Sequence, residues 1–128
     1  MTKHVMSITY KPKIEPVLIG ACRQTIRKGR RFKEGDEILM HGWEGRPYRS
    51  KWSWRKRVVV THAIPITISK DGIYYQDNVD IWRWFDVIVD CMAENDFIDP
   101  PTGEELRNVL FGLNEIPDDP QEYQIIRW

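Results

Sequence analysis

The segment Gly20-Ala21-Cys22-Arg23-Gln24-Thr25-Ile26-Arg27-Lys28-Gly29-Arg30-Arg31 gathers a thiol, a hydroxyl and a run of cations into twelve residues. Glycines let a backbone approach a ligand closely. Arginines hold phosphate or carboxylate oxygens in forked pairs. Arg23, Arg27, Arg30 and Arg31 are therefore candidates to hold an anion, and the alternative is a solvated basic loop. For Arg27 there is also a structural alternative, pairing with a carboxylate such as Asp36 or Asp96.

A second constellation follows. Trp43, Arg46, Tyr48, Arg49, Lys51, Trp52, Trp54, Arg55, Lys56 and Arg57 interleave rings with cations over residues 43–57. Single-stranded nucleic acids are held by this pairing, because rings stack on bases while cations follow the phosphates. The competing reading is structural. Trp52 and Trp54 alternate as strand residues do, so one face can be core, and Arg stacks on Trp without any ligand. His4, His41 and His62 are scattered, and no paired Cys or His spacing predicts a metal site. No cofactor is expected, since there is no phosphate-binding glycine loop and no nucleophile elbow.

The elements that must position these residues read as α+β. Val5–Tyr10 predicts a short strand, and the prolines that follow predict a helix over 14–19 ending at Gly20. Thr25–Arg27 predicts a brief strand, and Glu37–His41 another, entered through Gly35-Asp36. The β-branched run Lys56–Ile68 predicts a strand bulged or ended by Pro65, and Ile73–Gln76 predicts one more. Ile81, Phe85, Ile88 and Met92 predict a helix over 78–92, with Trp82 and Trp84 on different sides. Thr102-Gly103-Glu104-Glu105 has capping-box form and opens a second helix. Glu122–Trp128 predicts a closing strand.

At 128 residues the chain is expected to form one domain, 1–128. No apolar run reaches a membrane span, and the first ten residues lack the apolar stretch of a secretory signal. A cytoplasmic location is the default expectation. Cys22 and Cys91 form no disulfide framework. Net charge is zero, yet residues 1–60 carry 15 Lys/Arg against 5 Asp/Glu, and residues 61–128 carry 4 against 14. A basic half suits a polyanionic partner. It also suits attraction between the halves, either within one fold or between two copies in a homodimer.

The order of elements, with Gly20, Thr25 and Arg27 in a Gly-x-x-x-x-Thr-x-Arg pattern, resembles the ASCH domain of the PUA-like superfamily. Its hallmark is Gly-x-Lys-x-x-Thr-x-Arg, and here Cys22 stands where the lysine would be. The segment Ala93–Phe97 with Glu104-Glu105-Leu106 is similar to the family's acidic turn and following helix. The resemblance implies a small mixed or antiparallel β-barrel with peripheral helices, and a cleft lined by residues 20–27. It implies RNA, single-stranded nucleic acid or a modified nucleotide as the partner. It also implies, by analogy with a bacterial subgroup that deacylates acetylcytidine, a Lys–Thr–Glu constellation falling on Cys22, Thr25 and Asp96. In such a scheme a base takes the threonine proton and a carboxylate passes it to the leaving amine. With a thiol at the lysine position, Cys22 is either a nucleophile activated by Arg23 or Arg27, or a small buried filler.

Overall fold

The computed structural model describes residues 2–43, 51–75, 82–84, 87–112 and 119–128. Strand β1 (Lys3–Ser7) leads into helix α1 (Lys11–Leu18), followed by β2 (Gln24–Lys28), β3 (Glu37–Trp43), β4 (Trp52–Val59), β5 (His62–Ser69), β6 (Gly72–Tyr75) and β7 (Trp82–Arg83). Helices α2 (Val87–Asn95) and α3 (Gly103–Phe111) come next, and β8 (Gln121–Arg127) follows them. The strands form a three-stranded sheet, β1-β3-β4, and a five-stranded sheet, β2-β8-β5-β6-β7. Only the β1–β3 pairing is parallel.

Among the described residues these sheets do not close into a barrel. The α+β class is as expected, and the closed barrel is not. The run expected as one strand over 56–68 divides between the sheets. β4 ends at Val59, Val60 N–H donates to Asp36 O (2.8 Å), Thr61 N–H donates to Arg127 O (2.8 Å), and β5 starts in the other sheet. Pro65 sits inside β5 opposite Gln124 of β8, and among the described residues β6 pairs with β5 from Ile66 to Ser69.

β8 explains the layering. Tyr123 and Ile125 face one apolar cluster, with Trp84, Val89, Met92, Ile98 and Leu106 from the helical side. Ile126 faces the other, with Met6, Ile38, Met40 and Val58 from the three-stranded sheet. A strand buried on both faces reads as a nearly continuous apolar run, and each such isoleucine contributes about 1.5–3 kcal/mol by leaving water.

The helix expected over 78–92 is shorter. Residues 76–81 and 85–86 lie outside the described residues, Trp82 and Arg83 pair with Ile73 and Gly72 as strand, and α2 begins at Val87. Trp84 is the core indole, 3% exposed, with its Nε1–H donating to Lys70 O (3.1 Å). Strand pairing and indole burial here outweigh a helical spacing of apolar residues. The capping box is present in part, since Glu105 N–H donates to Thr102 Oγ1 (3.2 Å).

Candidate functional site

β2 is the edge strand of the five-stranded sheet, and four of its residues line a cavity of about 340 Å³. Thr25, Ile26, Arg27 and Lys28 form that wall. Tyr10 and Lys13 close it from the α1 side, and Asp96 and Ile98 from the end of α2. Thr25 and Asp96 both line this cavity.

Asp96 reaches it through a helix end. Phe97 adopts a positive φ of 57°. Phe97 N–H donates to Glu94 O (3.0 Å) and Ile98 N–H to Ala93 O (3.0 Å). These two bonds are the Schellman stop, with Asp96 at the cap and a phenylalanine where glycine is usual. A bulky residue in the left-handed region costs about 1–2 kcal/mol.

Lys13 Nζ lies 3.0 Å from Asp96 Oδ1, and both side chains are 6% exposed. The contact is an ion pair without hydrogen-bond alignment, and Oδ1 has no hydrogen-bonded partner among the described residues. Burial pushes the Asp96 carboxyl up, opposed first by Lys13 and then by Arg27. Lys13 is a functional candidate that the motif reading missed, because that reading looked for a lysine at position 22. The available signal was its position on α1. Lys13 and Val17, one helical turn apart, are the buried residues of this helix.

Cys22 does not line the cavity. It is 0% exposed within the second apolar cluster, and its Sγ–H donates to Gln24 O (3.4 Å). Burial pushes the thiol up, against a smaller opposing effect of Lys13. This is the environment of a packed filler and not of an activated nucleophile.

The arginines separate into different roles. Arg30 donates from Nε to Tyr123 O (3.2 Å) and from Nη2 to Ile66 O (2.9 Å), with Nη1 3.8 Å from Glu122. It ties the Gly29–Arg31 turn to the sheet. Arg27 donates from Nη2 to Ser7 O (2.9 Å), joining the edge of one sheet to the other. Asp36 is not its partner, since that carboxylate accepts from Thr2 N–H and Lys33 N–H and contacts His4 Nε2 at 2.8 Å. Arg23 is exposed beside a shallow hollow with Gln24 and Arg127, and its Nε–H donates to Gly20 O (3.2 Å). Arg31 is exposed, its guanidinium 5.0 Å over the Phe32 ring.

A second cavity, of about 350 Å³, opens beside the three-stranded sheet and is lined by Arg27, Arg31, His41, Trp43 and Trp52 together with β1. Its geometry comes from a bulge. His41 pairs with Arg55, but Trp43 pairs with Trp52, so two steps along β3 face three along β4. A bulge re-aims the side chains beyond it. Trp52 joins His41, stacked at 3.8 Å and 12° between planes, while Trp54 packs on the apolar core. Trp43 meets His41 edge-on at 4.9 Å, and Arg55 lies 5.0 Å over the Trp52 ring. The two tryptophans that alternation placed together thus serve different surroundings. Lys51 is exposed, and Arg46, Tyr48 and Arg49 lie outside the described residues.

Among the described residues no group of three or more His, Cys, Asp or Glu side chains is placed to hold a metal, and no helix is long and apolar enough to cross a membrane. Comparison with protein-family models, with curated proteins and with solved structures found no match.

Proposed function

We propose that this protein is an ASCH-like module of the PUA-like superfamily that binds RNA, single-stranded nucleic acid or a modified nucleotide in the cleft at the edge of β2. The observation that carries the reading is the placement of Arg27. It lines both the cleft with Thr25 and the cavity with Trp43 and Trp52. Cations beside rings are what a single-stranded polyanion requires. The exposed Arg31 and Arg55 add positive charge beside the aromatic cavity, without counter-charges of their own among the described salt bridges. Titrating the intrinsic tryptophans with a short single-stranded RNA tests it. Quenching that weakens from low to physiological salt is expected, because phosphate contacts release counterions. Binding insensitive to salt and to Arg27→Ala would remove the reading.

A second reading has its own observation. Lys13, Thr25 and Asp96 line one cavity, so an amine lies near the hydroxyl despite Cys22. In an amidohydrolase acting on an acylated nucleoside, the Thr25 hydroxyl oxygen attacks the amide carbonyl and its proton passes to the Asp96 carboxylate, which the Lys13 ammonium holds. Asp96 then helps deliver a proton to the departing amine, and water cleaves the acyl-threonine. Acetylcytidine hydrolysis that is abolished by Thr25→Ala and Lys13→Met is expected on this reading. Hydrolysis that survives Thr25→Ala would end it.

A further inference from the structure

We infer that the ligand spans at least two nucleotides, with one base in the β2 cleft and the next in the aromatic cavity of Trp43 and Trp52. This rests on the nucleic-acid reading above and narrows it to a polymer.

Three features carry the inference. The two cavities are of similar size, about 340 and 350 Å³, and each is at the lower end of the range that encloses a small ligand. They share Arg27 as a lining residue, which sets one guanidinium beside both. A phosphodiester supplies an anion at that point, and a free nucleoside supplies none. The chemistry of the second cavity is also that of stacking. His41, 3% exposed, backs Trp52 at 3.8 Å and holds that ring in place before any ligand arrives.

The exposed Arg55 guanidinium over Trp52 marks a place where a flat cationic group already rests on the indole. A base in the cavity meets the Trp43 and Trp52 rings that line it, and the Arg55 guanidinium beside Trp52 meets the neighbouring phosphate. Arg31, exposed at the rim of the same cavity, meets the phosphate on the far side. The stacking is indifferent to base identity, because every base has a π face. Sequence preference then resides in the β2 cleft, which the Lys13–Asp96 pair lines.

The test compares a fluorescein-labelled octaribonucleotide containing all four bases with the four mononucleotides as competitors. The wild-type chain is expected to bind the octamer more tightly than any mononucleotide. Trp52→Leu is expected to weaken octamer binding by about tenfold or more. Because Trp52 also packs on His41, Arg31→Ala provides a variant at an exposed position. It should weaken the octamer and reduce the slope of log affinity against log salt by about one. Octamer binding unaffected by both variants but lost in Arg27→Ala would overturn the two-base site and leave the cleft reading standing. Mononucleotides binding as tightly as the octamer would overturn it in the same way. Binding of neither would overturn both.

Discussion

A lysine ammonium and an aspartate carboxylate that are each 6% exposed have lost most of their hydration, and Lys13 and Asp96 compensate one another across 3.0 Å. Breaking such a pair leaves one buried charge uncompensated. Lys13→Met is therefore expected to cost about 3–5 kcal/mol in urea unfolding, and Lys13→Met with Asp96→Leu to recover most of that loss. The two perturbed aspartates act on stability with opposite signs. Asp96 is raised in the fold, so its contribution is full below the ordinary carboxylate value and is lost as pH rises through the raised one. Asp36 is lowered, first by its hydrogen bond with His4 and then by the main-chain donors of Lys33 and Thr2. Its contribution is full above the ordinary carboxylate value and is lost as pH falls through the lowered one. Asp36→Asn should thus be less stable than wild type at neutral pH, with the gap closing in acid. Melts stepped from pH 7 to pH 3 check this, and a constant gap would contradict it. Thr25 and Asp96 were legible as candidates only through the family resemblance, which carries a threonine and a carboxylate onto these positions. Lys13 was not, because its meaning depends on where α1 lies over β2.

At the scale of elements, the bulge in β4 and the end of α1 show how loops and helix termini are held. Gly42 lies against the Trp54 indole, and a Cβ there would run into the ring at Nε1. Gly42→Ala is expected to destabilise by about 1–3 kcal/mol through forced repacking, and to lower octamer binding by shifting the bulge that aims Trp52. Lys56 Nζ donates to Val17 O (2.7 Å) and lies 3.4 Å from Leu18 O, placing a cation on the last carbonyls of α1. Lys56→Met should cost about 1–2 kcal/mol, read by thermal unfolding, without changing the salt slope of nucleic-acid binding. Lys56 stood in the sequence among residues read as a binding surface, and the fold uses it as a helix cap. The strands over 24–28, 37–43 and 121–127 were legible because alternating or continuous apolar residues mark buried strands. The division at Val60-Thr61 was not, since β-branched residues continue across it and only the hydrogen bonds of Asp36 and Arg127 show the change of sheet.

For the whole molecule, the basic and acidic halves of the sequence are not separate bodies. β2, from the basic half, pairs along its length with β8 from the acidic half. Two of the described salt bridges, Lys13–Asp96 and Arg30–Glu122, cross between the halves. Part of the charge asymmetry is thus used inside one fold. The homodimer reading predicts a mass by light scattering that falls from dimer to monomer as salt rises. A monomer at both low and high salt would leave the exposed cations of the first half to another polyanion.

The placement of β8 between β2 and β5 also bears on how the chain is made. Gln24 is partnered with Arg127, and His62 with that same residue. On a translating ribosome both earlier strands emerge without the strand that joins them, and β2 and the β8-facing edge of β5 stay unmatched until residue 127 has cleared the exit tunnel. Contacts so distant in sequence form slowly. The nascent chain therefore carries two unmatched ladder edges until β8 emerges, a period in which it depends on whatever shields such edges in the cell.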